Sequence, residues 1–186
     1  MHRVDTITVN DSPMEAFMYT PDGDGPHPGV VVAMHIPLGH TGIENDPFTL
    51  KVCERLAENG YAVACPFIFH WWPKDGEMAT KRDEFRDDWT KLDMQAAYDH
   101  LAGQDNVDSD KIGLIGHCWG GRVAWLSACH NPNYKAVTVL YAGRVNVVMG
   151  PDTPAAIELT GNIKTPVLGH FGNDDSNPSP KDVNDY

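Results

Sequence analysis

The sequence is poor in basic residues. Fourteen lysines and arginines stand against 26 aspartates and glutamates in 186 residues, a formal net charge of −12. Such a balance repels phosphate backbones and anionic lipid surfaces, which argues against nucleic acid and membrane partners while leaving room for an anionic substrate held by one or two arginines. Cysteines in close pairs are also lacking: Cys53, Cys65, Cys118 and Cys129 form no C-x-x-C motif. A chain of this size builds a core without disulfide staples, so reduced thiols and a cytoplasmic location are expected. There is no long apolar run, and the start, Met1 to Asp5, turns polar at once, so neither a signal peptide nor a membrane span is expected. Internal repeats, low-complexity tracts and linkers are absent too, which predicts one domain over residues 1–186.

What is present is an alternation of short β-branched runs with longer amphipathic stretches, the pattern of βαβ units on a mostly parallel, doubly wound sheet flanked by helices. Thr6 to Asn10 and Ala16 to Thr20 read as a first strand pair. Val30 to Met34, Tyr61 to Cys65, Ile112 to Ile115, Val137 to Tyr141 and Pro166 to Phe171 read as further strands. Asp46 followed by Pro47 opens a helix that Gly60 ends, and a long helix is predicted over Arg82 to Ala102, where Phe85, Trp89, Leu92 and Ala96 alternate at spacings of four and three. A last helix is expected to begin near Ser179.

The stretch that carries chemistry is Gly116-His117-Cys118-Trp119-Gly120, between an apolar strand and a helix. Strand, G-x-C-x-G, helix is the form of a nucleophile elbow with cysteine in the serine's place. The glycines leave room for backbone to pass beside a strained nucleophile, and the helix N-terminus offers free N–H groups and a dipole that favour a thiolate. The same geometry makes the Trp119 N–H one oxyanion donor and predicts a second, Ile36, on the loop after the Val30 to Met34 strand. The competing reading of Cys118 is a small buried residue beside a glycine turn; its place in the middle of an alternating α/β chain favours the elbow.

Four stretches in order, PGVVVAMHI (28–36), NGYAVACPF (59–67), GHCWGGRVA (116–124) and PVLGHFGNDDSNPSP (166–180), resemble the dienelactone hydrolases, or carboxymethylenebutenolidases, over nearly the whole chain. The resemblance implies an α/β-hydrolase fold and cofactor-free hydrolysis of an ester or lactone by a Cys-His-Asp triad. It matches Cys118 to the nucleophile and points to Asp175 for the acid, with Asp174 as the adjacent alternative. Where the family places a glutamate near the resting thiol, this chain has His35, a candidate thiol partner. The family's histidine follows its aspartate, whereas all nine histidines here precede Asp175. The expectation is therefore a domain truncated at its C-terminus, lacking a C-terminal strand and helix and impaired as an enzyme.

Ligands of such sheets bind beyond the carboxyl ends of the strands. His70 and Trp71 are the candidate pocket residues there, with Arg82 and Arg86 as candidate cations for a substrate carboxylate; Arg122 is expected to support the helix behind the elbow. A non-catalytic ligand-binding member of the same fold is the alternative function. No metal is expected: His35, His70, His117 and His170 could converge, but only His35 and His40 share a close spacing.

Overall fold

The structure, a computed structural model, describes residues 2–36 and 42–186. Strands β1 (His2–Val9) and β2 (Ser12–Tyr19) form a hairpin. Its two-residue turn, Asn10 and Asp11, has φ of 45° and 63°, the left-handed pair that matches strand twist and that Asn and Asp tolerate best. β2 runs antiparallel to β4 (Ala62–Pro66), and from there the sheet is parallel through β3 (His27–Ala33), β5 (Val107–His117), β6 (Val137–Leu140) and β7 (Val167–His170). The spatial order is β1-β2-β4-β3-β5-β6-β7. A mostly parallel, mixed sheet flanked by helices is the α/β architecture expected.

One part of that expectation is overturned. A C-terminal strand and helix are present: β7 pairs in parallel with β6 from Val137 opposite Val167 to Leu140 opposite His170, and α5 (Pro180–Asp185) follows. Local chemistry starts this last helix. Ser179 donates its N–H to Asp182 Oδ2 at 2.8 Å, Ser179 Oγ accepts from the Asp182 N–H at 3.2 Å, and Pro180 occupies the first turn.

The predicted long helix is two helices, α2 (Met78–Asp83) and α3 (Asp87–Ala102). Arg86 between them is extended, at φ −130° and ψ 128°. The break has a cause outside local propensity: the Asp87 N–H donates to Met149 O at 2.9 Å and its carboxylate receives the Arg122 guanidinium. Helix α1 (Pro47–Glu58) begins as predicted, with Asp46 Oδ1 accepting from the Phe48 and Thr49 N–H groups at 3.1 and 3.2 Å. Helix α4 (Trp119–His130) is buried along almost its whole length.

The core packs Val31 to Met34 of β3 and its exit, Ile112 and Leu114 of β5, Met94, Ala97 and Leu101 of α3, and Val123, Ala124 and Leu126 of α4. Each large side chain there contributes about 1.5–3 kcal/mol of burial free energy, and together they hold the carboxyl ends of β3, β5 and β6 side by side.

Candidate active site

β5 ends at His117 and α4 starts at Trp119, so Cys118 alone makes the turn between them. Its backbone stands at φ 56° and ψ −116°, a sparsely populated conformation for a residue with a side chain. The turn is held by its neighbours: the Cys118 N–H donates to Leu140 O at 3.0 Å, and Cys118 O accepts from the Arg122 N–H at 3.2 Å. The flanking glycines are required by close approach. A Cβ on Gly116 would lie 1.9 Å from Gly120 O, and one on Gly120 would lie 2.1 Å from Ala33 O and 2.7 Å from Met34 O. Backbone of β3 therefore lies against the elbow itself.

Cys118 is half-buried and opens into a cleft of about 170 Å³ that it shares with Ile36, Trp119 and Arg82. Four residues singled out from the sequence thus meet at one place. Trp119 is the first residue of α4, where a helix N–H has no intrahelical acceptor. The cleft gains three residues that sequence reasoning did not propose, Gly143, Arg144 and Asn177. Among the described residues neither Arg82 nor Arg144 is paired with a carboxylate, so two arginines without a carboxylate partner line the Cys118 cleft of a strongly acidic chain. Arg144 also has a left-handed backbone, φ 61°. Its carbonyl accepts from Arg122 Nε at 3.0 Å, and Val147 O accepts from Arg122 Nη2 at 3.0 Å. Arg122, fully buried and forked onto Asp87, thereby ties α4, α3 and the Arg144 loop together.

The imidazoles are arranged around an aromatic link. His35 packs its ring 5.4 Å from that of Phe48, and Phe48 meets His117 edge-on at 5.0 Å. The His35 N–H donates to Thr49 Oγ1 at 3.2 Å. Burial, reinforced by the nearby His35, holds His117 below the usual imidazole range. On the other side of the elbow, burial and the facing Cys118 push the Tyr141 phenol up. Asp175 lies on the loop after β7, where its Oδ1 accepts from the N–H of Asn177 at 3.0 Å; Asp174 is exposed.

The remaining candidates are elsewhere. His70 is bonded to Ser12 and Asp93, and Trp71 donates to Asp93 Oδ2 at 3.0 Å, away from the Cys118 cleft. Arg86 pairs with Asp88, lies 4.6 Å over the Trp89 ring and borders a larger hollow of about 410 Å³ near His130 and Asp152. No group of three or more His, Cys, Asp and Glu side chains suited to a metal ion occurs among the described residues; His40 lies outside them. No helix among those residues is long and apolar enough to cross a membrane.

A mostly parallel sheet whose interior strand β5 turns through a strained cysteine into a buried helix defines an α/β-hydrolase. Residues 14–185 match the sequence pattern of the dienelactone hydrolase family, and the chain belongs to that family. It is 29% identical over 181 residues to a protein of Methylorubrum extorquens provisionally named as a carboxymethylenebutenolidase, covering 91% of this chain and 58% of that one. It is 30% identical over 137 residues to the carboxymethylenebutenolidase of Rhodococcus opacus, covering 69% and 52%. The crystal structure of a provisionally named dienelactone hydrolase from Klebsiella pneumoniae aligns with a TM-score of 0.74 at 26% identity, over 100% of this chain and 78% of that one. The chain spans less than three fifths of the length of the two sequence relatives.

Proposed function

We propose that the protein is a carboxylic ester hydrolase that opens an ester or lactone through Cys118. The Cys118 sulfur attacks the carbonyl carbon, and the oxyanion that forms is held by the N–H groups of Trp119 and Ile36. Collapse breaks the ester C–O bond, the alkoxide takes up the proton given up by the thiol, and a thioester remains; water then adds to the thioester carbon, giving a proton to a histidine base oriented by Asp175, and the C–S bond breaks as that proton returns to the Cys118 sulfur. In this reading His35 is the candidate thiol partner. The contact of the Ala33 and Met34 carbonyls with Gly120 supports this, because it brings the end of β3 beside the elbow.

Arg82 and Arg144 suit a substrate that carries a carboxylate, since a guanidinium in a partly enclosed cleft binds a planar anion through charge-assisted hydrogen bonds. The four free thiols suit a reducing compartment such as the cytoplasm. No cofactor enters any step.

The observation that carries this reading is the strained Cys118 at the head of α4, open to a cleft that two arginines and Trp119 also line. The other three cysteines are buried. Burial and the neighbouring Cys53 push the Cys65 thiol well up, and burial pushes that of Cys129 up to about 12. Mass spectrometry after brief iodoacetamide treatment is therefore expected to find Cys118 carbamidomethylated well before Cys53, Cys65 and Cys129. p-Nitrophenyl acetate is expected to leave an acetyl group on the same residue. A flat alkylation pattern would overturn the nucleophile, and tight binding of an aromatic lactone without acylation would favour a non-catalytic binding protein.

A further inference from the structure

A second nucleophile, base and acid stand in line at the same edge of the sheet, two strands from the elbow. Ser12 Oγ lies 2.9 Å from His70 Nδ1, and His70 Nε2 lies 2.9 Å from Asp93 Oδ1. The partners decide the protons. Asp93 Oδ2 accepts from Trp71 Nε1 at 3.0 Å, and a carboxylate accepting from Trp71 takes its second bond from His70 Nε2–H, so Nδ1 is left with its lone pair and receives the Ser12 hydroxyl. The His70 and Asp93 side chains are 3% and 0% exposed, so water does not compete for these bonds.

The order is that of a Ser-His-Asp relay with the two imidazole nitrogens exchanged, which leaves the acid–base chemistry intact. Ser12 itself is only half-buried. It follows the Asn10-Asp11 turn and pairs with Val9, so its position is fixed by the hairpin. The next residue, Pro13, borders a cleft of about 310 Å³ with His70, Phe67, Trp72 and Lys74. That cleft shares no residue with the one at Cys118; Phe69, 6.3 Å from both Trp72 and Trp119, stands between them. The Lys74 charge is answered by Glu15 and Glu44 at 2.7 and 2.9 Å, so the aromatic walls suit an uncharged ligand.

We propose that Ser12, His70 and Asp93 form a second acyl-accepting site, independent of Cys118, for small uncharged activated esters. Ser12 Oγ bonds to the acyl carbon, the ester C–O bond breaks, and the hydroxyl proton taken by His70 Nδ1 passes to the departing alkoxide. Asp93 is a positioning residue that acts through His70.

The test uses the full chain with Cys118→Ala, which removes the first site, and a fluorophosphonate probe. With this reagent Ser12 Oγ bonds to phosphorus, the P–F bond breaks, and the proton passes to His70 as fluoride leaves. Peptide mass spectrometry is expected to place the adduct on Ser12, at the same rate with and without Cys118. Ser12→Ala, which keeps the His70–Asp93–Trp71 bonds, is expected to eliminate the adduct. His70→Gln is expected to slow it by about a hundredfold or more, the effect of losing a general base. Urea-unfolded wild-type chain, which needs no variant to fold, is expected to show no preference for Ser12. Absence of an adduct on Ser12 in the folded chain, or equal labelling of Ser12 after unfolding, would overturn the proposal and leave the array as a structural staple of the hairpin. Neither result bears on Cys118, whose alkylation is measured separately.

Discussion

The two ends of this sheet edge are specified in different ways. At Cys118 the site is made by backbone: glycines pressed against carbonyl oxygens, a cysteine at φ 56°, and a helix that starts on the next residue. At His70 it is made by side chains, each held by another from a distant part of the chain, with Ser12, His70 and Asp93 on three different segments. Backbone sites fail when an atom is added, and side-chain sites fail when one is removed.

The largest departure from that contrast is under the elbow itself, where Arg122 and Asp87 supply a side-chain support to a backbone-built turn. Removing one partner leaves the other charge buried and unanswered, which costs about 3–5 kcal/mol. Asp87→Ala is therefore expected to lower the urea midpoint by more than any other truncation at this edge, and to loosen the Arg144 loop that Arg122 holds. A loss below about 1 kcal/mol would place Asp87 among ordinary surface pairs. Adding an atom tests the backbone half: Gly120→Ala puts a methyl against Ala33 O and Met34 O, neither of which can swing away, and is expected to cost about 3 kcal/mol, the upper range for overpacking. Gly161, with nothing within 4 Å of its Cβ direction, is the control. Gly161→Ala is expected to leave the urea midpoint nearly unchanged, and equal losses at both glycines would erase the distinction.

The same contrast governs what could be read in the sequence. Backbone constraints leave local marks. G-x-C-x-G between an apolar run and a helix located the elbow, Asp46-Pro47 located the start of α1, and the β-branched runs located the parallel strands. Ile36 and Trp119 were legible because a strand end and a helix start converge on one cleft, whereas Arg82, expected at the start of a long helix, reaches that cleft from the last turn of α2. Arg144 was not legible, since it sits in an irregular loop whose conformation is imposed by Arg122 from another helix. The break at Arg86 was hidden for a like reason: the apolar spacing through Phe85 and Trp89 continues across it, and the bonds that hold Asp87, to Met149 O and from Arg122, come from distant parts of the chain. The spacing of Phe48, Val52 and Leu56 every four residues reads as one apolar side of α1, yet Phe48 is 44% exposed and links His35 to His117. His70 was placed in the pocket because it follows a strand, while its partners in β2 and α3 could not be paired from spacing alone.

The smallest effect separates the two ends by the sign of their response to pH. At the elbow, burial and then His35 hold His117 below 6.5. Below 6.5 the unfolded chain binds a proton that the folded chain resists, so this contribution to stability is complete above 6.5 and is lost as pH falls through the folded value. At the other end, burial raises Asp93 above 3.8 against the opposing hydrogen bonds of His70 and Trp71. Above 3.8 the unfolded carboxyl gives up its proton first, so that contribution is complete below 3.8 and is lost as pH rises through the folded value. His130, lowered by burial and Lys91, titrates on the same side as His117. Urea melts at pH 7.5 and 5.5 are therefore expected to show lower stability at the acid pH, with a smaller drop in His117→Asn that does not vanish because His130 remains. An undiminished drop in that variant would show that the imidazole beside Cys118 is freely solvated, and the packing of Phe48 against it would no longer distinguish the elbow from an open loop.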